Sequence, residues 1–561
     1  MSAYAQSDLR LDISALDYAL LAIYFVIVLG IGYLARRSVS SSLDFFLSGR
    51  SLPAWVTGLA FISANLGALE LLGMAANGAQ HGVPTVHYYW IGAIPAMVFL
   101  GLVMMPFYYG SKVRSVPEFL RRRFGRGAHL VNAISFALAQ VLIAGVNLYA
   151  LALLLNLMLG WPIPLSIVIA AVVVLTYTTL GGLSAAIYNE VLQFFVIVAA
   201  LLPVTIVGLA KVGGWQGLVD KVTAGPGGAE QLSSWPATSL TGITDATLSV
   251  LGLVFGLGFV LSFGYWTTNF AEVQRAMSAK SMSAAMRTPI IGAYPKALIP
   301  ALVVLPGMVA AVVVPEIAAL KAGDTSSGVE YNDTLPLLIR ELLPNGVLGI
   351  AITGLLASFM AGVAANVSSF NTVFTYDLWQ SYVVKDRSDE YYLRVGRLAT
   401  VGGIVVAIGT AFIASGYGNI MDYIQALFSF FNAPLFATFI LGMFWRRMTP
   451  AAGWSGLVFG TLAAVTVFVL NESGVINLPG QGASFLGAGL AFVVDVTVSV
   501  LVSLGTKPKP EAELVGLVYG LTPKESLRHS TTGEDAGWYR SPLLLGIGVL
   551  VLTLVLSVIF A

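Results

Sequence analysis

The chain contains no cysteine and few charged residues, and both shortages narrow its class. Without cysteine it has neither disulfides nor thiolate metal sites. Its four histidines are too scattered along the sequence to suggest a catalytic or metal cluster. Charged residues make up 10% of the chain, against roughly 25% in soluble domains, and the net charge of +1 argues against a nucleic-acid partner. The sequence also lacks a nucleophile elbow, a phosphate-binding loop and a metal motif, so we expect neither an enzyme nor an organic cofactor.

Long apolar runs dominate what is present. Hydrophobic residues make up 57% of the 561 residues, and the mean hydropathy is +0.84. A helix needs about 20 apolar residues to cross a bilayer, and Gly, Pro and charged residues divide the chain into fourteen such runs. We therefore predict an all-α polytopic membrane protein that forms one integral domain over residues 1–561. The runs centre near Phe25, Asn65, Ala96, Leu142, Ala171, Ala199, Gly258, Pro300, Met360, Val405, Phe431, Gly460, Ala491 and Leu550.

Basic residues orient the predicted spans. With the N-terminus outside, most of the 29 Lys and Arg residues fall in cytoplasmic loops, as the positive-inside rule requires. Fourteen spans then place both termini outside the cell membrane. Lys296 falls inside a span instead, and a charged residue at that depth is a functional-site hypothesis. The alternative is a lysine that snorkels to the membrane edge.

The second apolar run contains a predicted break. Within Leu52–Ala79, small and polar residues stand at mid-depth in Ser63–Gly67, and Glu70 follows one turn later. An interrupted helix is tolerated in a membrane only where it lines a protein cavity, and a carboxylate there points to function. The alternative is a continuous helix that uses small residues for close packing.

The seventh run contains a second predicted interruption. Gly256, Gly258 and Gly264 loosen the segment 252–270, and Tyr265, Trp266, Thr267, Thr268 and Asn269 follow the last of these glycines. The second and seventh runs are five spans apart. Two interrupted spans at equivalent places in consecutive halves indicate an inverted-repeat transporter whose binding site lies at mid-membrane.

Several motifs resemble the sodium:solute symporter family, and in particular its sodium/sugar cotransporter branch. The resemblance covers nearly the whole chain. The segments that carry it are Asp44–Leu47, Gly49–Pro53, Ser63–Met74, Val116–Phe124, Gly181–Ala186, Gln274–Ser281, Ser368–Asp377 and Gly442–Arg447. It implies two inverted five-helix repeats, about 52–211 and 246–442, that expose a central site to each side in turn. Peripheral helices then lie at 15–35, 451–471, 482–505 and 541–560. The expected partners are a small-molecule solute and the lipid bilayer, and we expect a monomer.

The same resemblance implies a substrate site near both broken helices. Lys296, Asn269 and Gln425 keep the residue types of the sugar branch. The family's glutamine in the first broken helix is Glu70 here, and its acidic residue early in the third span is Tyr89. Tyr265 could also stack on a sugar ring. A sugar or polyol is therefore the first expectation for the solute, although a familiar hexose site is not reproduced.

The ion site that the resemblance implies is incomplete. The family's Na+ lies between the carbonyl groups of Ser63 and Leu66 and the ninth span, where Ser358 supplies a further carbonyl. Two adjacent hydroxyls complete that site, but these positions fall on Ala361 and Gly362, which have none. A hard cation requires several oxygen ligands. Sodium coupling thus rests on the family and not on these residues.

Because Glu70 has several possible roles, the sequence does not decide which ion, if any, drives transport. A buried carboxylate beside a helix break is able to carry a proton or accept a hydrogen bond from substrate, or it forms a structural ion pair with Lys296. The first hypothesis is a symporter that imports a small polar solute with Na+. The second is a proton-coupled or uncoupled transporter of the same fold with Glu70 as the titrating group. The third is a solute sensor, for which the sequence shows no long soluble signalling domain.

Overall fold

The structure is a computed structural model that describes residues 13–35, 48–110, 115–478, 481–523 and 537–561. Within these ranges the protein is helical and forms no strand beyond a single bridge between Leu52 and Ala279. The predicted all-α class is therefore confirmed. The motif Asp44–Leu47 lies outside the described residues.

Within the described ranges, nineteen helices carry the architecture, and short helical turns connect some of them. The first ten are α1 (Ala15–Ala35), α2 (Ala54–Asn65), α3 (Leu69–His81), α4 (Val83–Tyr109), α5 (Val116–Phe124), α6 (Arg126–Leu159), α7 (Ile163–Val212), α8 (Gly214–Ala224), α9 (Ala246–Thr268) and α10 (Phe270–Met277). The others are α11 (Met282–Val313), α12 (Pro315–Lys321), α13 (Thr334–Leu342), α14 (Val347–Val383), α15 (Asp389–Ala414), α16 (Ile420–Phe444), α17 (Pro450–Glu472), α18 (Gly482–Gly505) and α19 (Pro542–Ile559).

Most of the predicted spans coincide with helices of membrane-crossing length. Eleven helices in the described ranges are long and apolar enough to cross a bilayer, and the bent pair α2–α3 makes a twelfth. The first and fifth predicted runs contain shorter apolar helices, Ala15–Ile31 and Ile163–Thr176. The total of fourteen spans stays a prediction.

The break in the second span is present. Helix α2 ends at Asn65, Leu66 leaves helical geometry with ψ 48°, and α3 continues after a bend of 59°. The backbone N–H of Ala68, freed by the break, donates to Asn147 Oδ1 on α6 at 2.9 Å. Because this buried donor is satisfied, the interruption is stable at mid-protein depth.

The interruption in the seventh span lies later than the glycines suggested. Helix α9 continues through Gly256 and Gly264 with the wide turns of a π-helix over Gly252–Ser262. A Cβ at Gly256 would lie 2.8 Å from the Phe485 carbonyl oxygen, so this glycine serves close packing against α18. The chain breaks at Asn269, whose backbone is extended (φ −70°, ψ 109°) and whose side chain caps α10.

The spans differ widely in how far neighbouring helices cover them. Helix α14 is the most enclosed span, with 89% of its apolar window buried, whereas the value for α19 is 22%. Helix α3 packs tightly on α11, because a Cβ on Gly78 would overlap the Val304 carbonyl and one on Gly307 would overlap the Ala75 carbonyl. Small residues thus bring α3, the second half of the broken span, against its neighbour.

Candidate functional site

A buried ion pair lies directly after the first helix break. Lys296 of α11 donates hydrogen bonds to Glu70 Oε1 and to Asn65 Oδ1, and its side chain is 2% exposed. Glu70 stands in the first turn of α3 and also accepts a hydrogen bond from the Tyr89 hydroxyl at 3.2 Å. Lys296 therefore binds one polar residue from each side of the break, the amide Asn65 before it and the carboxylate Glu70 after it.

Aromatic rings surround the ammonium group of Lys296. Its Nζ lies 4.9 Å from the centroid of the Tyr89 ring and 5.2 Å from that of Trp266. Cation–π attraction of this kind stabilises a desolvated ammonium. The lysine is held inside the protein and does not reach the membrane edge, so the snorkelling interpretation is wrong.

A small cavity opens beside this pair. Its volume is about 50 Å³, which is room for a few water molecules. Four of the predicted substrate residues, Lys296, Glu70, Tyr265 and Gln425, line it. The other lining residues are Asn65, Leu69, Met74, Tyr88, Ala93, Leu257, Leu261, Ser262, Trp266 and Phe428.

Two of the expected substrate residues do not line the cavity. Tyr89 acts through its contact with Glu70. Asn269 is turned toward α6, where its Oδ1 accepts a hydrogen bond from Gln140 at 3.3 Å while capping α10. Its extended backbone marks the second break and directs its side chain away from the cavity.

A hydrogen-bonded chain leads from the cavity to a second carboxylate. Asn65 Nδ2 donates to the Tyr265 hydroxyl at 2.9 Å, and that hydroxyl donates to Glu272 Oε1 at 2.9 Å. Sequence analysis missed Glu272. The available signal was a glutamate three residues after Asn269, at the end of an apolar run.

A second buried ion pair lies next to Glu272. Arg275 donates to Glu190 through Nη2 at 2.5 Å and through Nε at 3.2 Å, and to the Ala271 carbonyl at 2.7 Å. Both charged side chains are almost completely buried. Glu190 on α7 is therefore the fixed counter-ion of Arg275.

The implied ion-site residues meet, but they do not form the expected ligand set. Ser358 turns its hydroxyl to the Leu66 carbonyl, to which it donates a hydrogen bond. A Cβ on Gly362 would overlap Asn147 Oδ1, so the amide of Asn147 occupies the space in which a serine side chain would lie. Ala361 adds no oxygen. Where the family places two hydroxyls, this chain has an alanine, a glycine and an amide inserted from α6.

The described residues also offer few ligands for a metal ion elsewhere in the structure. Over the described ranges, no group of three or more His, Asp or Glu residues is arranged to hold a metal ion. The Ser63 side-chain hydroxyl is buried, and it has no hydrogen-bond partner in the part of the chain that the structure describes. The Ser63 carbonyl accepts from the Leu66 N–H at 3.0 Å.

Amide side chains link the end of α3 to the start of α16. Asn419, at the start of α16, donates to Asn77 Oδ1 and Gln80 Oε1 on α3, both at 3.0 Å. Gln481 also approaches Asp422, with 3.3 Å between Nε2 and Oδ1. On the predicted orientation this is the outer side. These residues carried no signal in the sequence, because amides are common at span ends.

Comparisons with known proteins agree with this geometry. The sequence model of the sodium:solute symporter family matches residues 45–460. A sodium/glucose cotransporter of Vibrio parahaemolyticus is 29% identical over 488 residues, covering 84% of this chain and 88% of that protein. Human sodium/glucose cotransporter 4 is 31% identical over 562 residues, covering 94% of this chain and 82% of that protein.

A solved structure shows the same fold. A Na+-coupled sialic acid symporter in a substrate-bound, outward-open state superposes with a TM-score of 0.72 at 20% identity, over 89% of this chain and 99% of that one. The family match extends from the first loop to the middle of α17 and includes both broken segments. The chain therefore belongs to the sodium:solute symporter family.

Proposed function

We propose that the protein is a secondary active symporter that imports a small polar solute by alternating access. The observation that carries this proposal is the Glu70–Lys296 pair, which lies beside a helix break and lines a cavity among the membrane-spanning helices. Buried charges of this kind are costly in a purely structural role. Family membership supports transport as the activity.

The solute that best matches the chemical groups around this cavity is a sugar or polyol. Lys296 supplies N–H donors, Glu70 supplies acceptor oxygens, and the ring of Tyr265 supplies a face for stacking. Gln425 Oε1 is buried without a hydrogen-bond partner among the described residues and is thus available to a hydroxyl group. The relatives named sodium/glucose cotransporters support the sugar class.

The cavity has to enlarge before it takes such a solute. At about 50 Å³ it is too small for a sugar ring, which has many more heavy atoms than a few water molecules. We infer that solute hydroxyls replace part of the hydrogen bonding between Lys296 and its partners Glu70 and Asn65. The solute then takes over contacts that already exist, so that no buried charge loses every partner.

Na+ is the proposed coupling ion, on the evidence of the named relatives and the solved symporter. A second candidate is coupling to protons. One observation favours it: the Asn147 amide fills the space beside Gly362 that an ion-binding hydroxyl would need. Ala361 provides no alternative ligand. The titrating group then has to be one of the buried carboxylates.

The finer organisation is also proposed. We place fourteen spans in the plasma membrane, with two inverted repeats at 52–211 and 246–442 and both termini outside. The helices at 15–35, 451–471, 482–505 and 541–560 are peripheral to the repeats. We also propose that a monomer performs the transport.

Uptake by liposomes that contain the purified protein tests this function. Labelled D-glucose, a polyol and an amino acid are each offered with an inward Na+ gradient, an inward proton gradient, or no gradient. We expect accumulation of a hydroxylated solute above its equilibrium level when one of the two gradients is present. Absence of uptake of every solute under every gradient, from folded protein, would overturn the proposal. Saturable binding without uptake would point to a sensor.

A further inference from the structure

Five buried charged groups form a continuous series with an excess of one negative charge. The series contains three carboxylates and two cations, and each residue is at most 3% exposed. In order it is Glu70, Lys296, Glu272, Arg275 and Glu190. If all five were ionised, the interior would hold one uncompensated negative charge. Such a charge is expensive at low dielectric, and a proton or a bound cation removes the cost.

The uncompensated carboxylate is Glu272. Glu70 is paired with Lys296, and Glu190 takes both hydrogen bonds from the Arg275 fork. Glu272 Oε1 accepts a hydrogen bond from the Tyr265 hydroxyl. Its Oε2 is buried and lacks a partner in the described part of the chain. One oxygen atom of the series is therefore positioned to hold a proton.

Two positive charges face this carboxylate, Arg275 of α10 itself and Lys296 of α11. Glu272 interacts electrostatically with Arg275 and Lys296, while the charge of Glu190 opposes that of Glu272. Neither α2 nor residues 347–372 of α14 carries a titratable side chain. On the other segments that pack against α10, residues 105–110, 263–268 and 282–298, the titratable groups are Tyr108, Tyr109, Tyr265, Arg287, Tyr294 and Lys296. Glu190 of α7 faces the same region through its contact with Arg275. Lys296 and Arg275 are each held by another carboxylate, so neither neutralises Glu272 alone.

A proton fits the position better than a metal ion does. A hard cation requires several oxygen ligands at once, and the contact that Glu272 makes is with one tyrosine hydroxyl. We propose that Glu272 is a proton-binding site of the transport cycle, protonated on Oε2 in the conformation seen here and deprotonated when the site is exposed to the cytoplasm. The proton released from the carboxylic acid passes to cytoplasmic water. This inference rests on the proposed solute transport and assigns its proton-coupled form to a residue other than Glu70.

The hydrogen-bonded chain connects this site to the cavity. Every donor in it points the same way, from Lys296 to Asn65, from Asn65 to Tyr265 and from Tyr265 to Glu272. A solute that draws Lys296 away from Asn65 changes the first bond of the chain. Because Lys296 is also one of the two cations that face Glu272, the same movement changes the affinity of Glu272 for its proton.

Infrared difference spectra of the purified full-length protein between acidic and alkaline buffer test the site without any solute. We expect a band of a protonated carboxylic acid that disappears in Glu272→Gln and returns at a shifted frequency in Glu272→Asp. The control is Asp495→Asn. Asp495 is equally buried, on α18, and accepts hydrogen bonds from Thr438 at 2.8 Å and Ser499 at 3.1 Å. Asp495→Asn should keep the Glu272 band, and a pH-difference spectrum of Glu272→Gln identical to that of the unchanged protein would overturn the assignment.

Transport measurements separate the site from the function. In liposomes, a pH gradient should drive the unchanged protein to accumulate D-glucose about tenfold per pH unit, for one proton per solute. The variant Glu272→Gln should lose this accumulation. It should retain exchange of labelled for unlabelled D-glucose, since that requires no net proton movement. Accumulation at the unchanged level would overturn the inference. If no solute is moved even by the unchanged protein, the proposed function fails, and the infrared band still decides whether Glu272 titrates.

Discussion

At the residue scale, single and double substitutions of the Glu70–Lys296 pair should have different effects on stability. Lys296→Gln leaves Glu70 buried with the Tyr89 hydroxyl as its remaining donor among the described contacts. We expect a loss of about 3–5 kcal/mol in the free energy of unfolding, the usual cost of removing one partner of a buried ion pair. The double variant Glu70→Gln/Lys296→Gln should recover much of this loss. Thermal unfolding in detergent measures both, and a double variant as unstable as the sum of the two singles would contradict the pairing.

The Asn147 side chain fills the space beside Gly362, so we expect the stability effects of substitutions at these two positions to depend on each other. A serine at Gly362 would push the Asn147 amide away from the Ala68 N–H, so Gly362→Ser should cost about 1–3 kcal/mol, as overpacking does. In an Asn147→Ala background the same substitution should cost less, because the overlapping amide is gone. A double-mutant cycle of thermal stability measures the difference. Strictly additive losses would show that the two side chains do not compete for one space.

At the element scale, glycine contacts position α3, the second half of the broken span. A methyl group on Gly78 would overlap the Val304 carbonyl, and backbone cannot move aside as a side chain does. Gly78→Ala should therefore lower stability by about 1–3 kcal/mol and reduce transport. Gly402→Ala on α15 is the matched control, since nothing lies within 4 Å of its added methyl group. An equal effect of the two substitutions would exclude tight α3–α11 packing as the cause.

The short outer helix α12 is tied to the end of α3 through Lys321. Its ammonium donates to the Ala79 carbonyl at 2.7 Å and to Gln231 Oε1 at 2.5 Å. Burial lowers the pKa of Lys321 from 10.5 to about 8. Since the unfolded chain keeps this proton up to the higher pH, stability should rise as the pH increases from about 8 toward 10.5.

The variant Lys321→Gln identifies this contribution. The thermal midpoint of the unchanged protein should rise relative to that of the variant across the same pH interval. A midpoint difference that stays constant, or that moves in the opposite direction, would contradict a desolvated ammonium at this position.

At the scale of the whole molecule, the sequence predicted the membrane class, the break near Asn65 and the two charged residues beside it. These predictions depend on residue types that are rare inside membranes, such as Glu70 and Lys296. The interruption of the seventh span lies at Asn269, later in the chain than the glycines predicted. The glycines of α9 serve close packing instead, and the π-helical segment tolerates them.

What the sequence could not supply is which side chains meet across helices. Asn147 belongs to an ordinary apolar span, and its insertion beside Gly362 depends on how α6, α2 and α14 cross. Glu272 follows the seventh apolar run and reads there as a loop carboxylate. Only the chain from Asn65 through Tyr265 relates it to the cavity.

In the proposed transport cycle, one cavity beside the broken helix faces each side of the membrane in turn. The absence of cysteine makes a direct measurement simple: Gln425→Cys places the sole thiol of the protein in the wall of that cavity. In oriented liposomes, a membrane-impermeant thiol reagent should label this position from the outside and, in a separate experiment, from the inside, and a transported solute should slow both reactions. Labelling from one side only, or from neither, would contradict alternating access at this site.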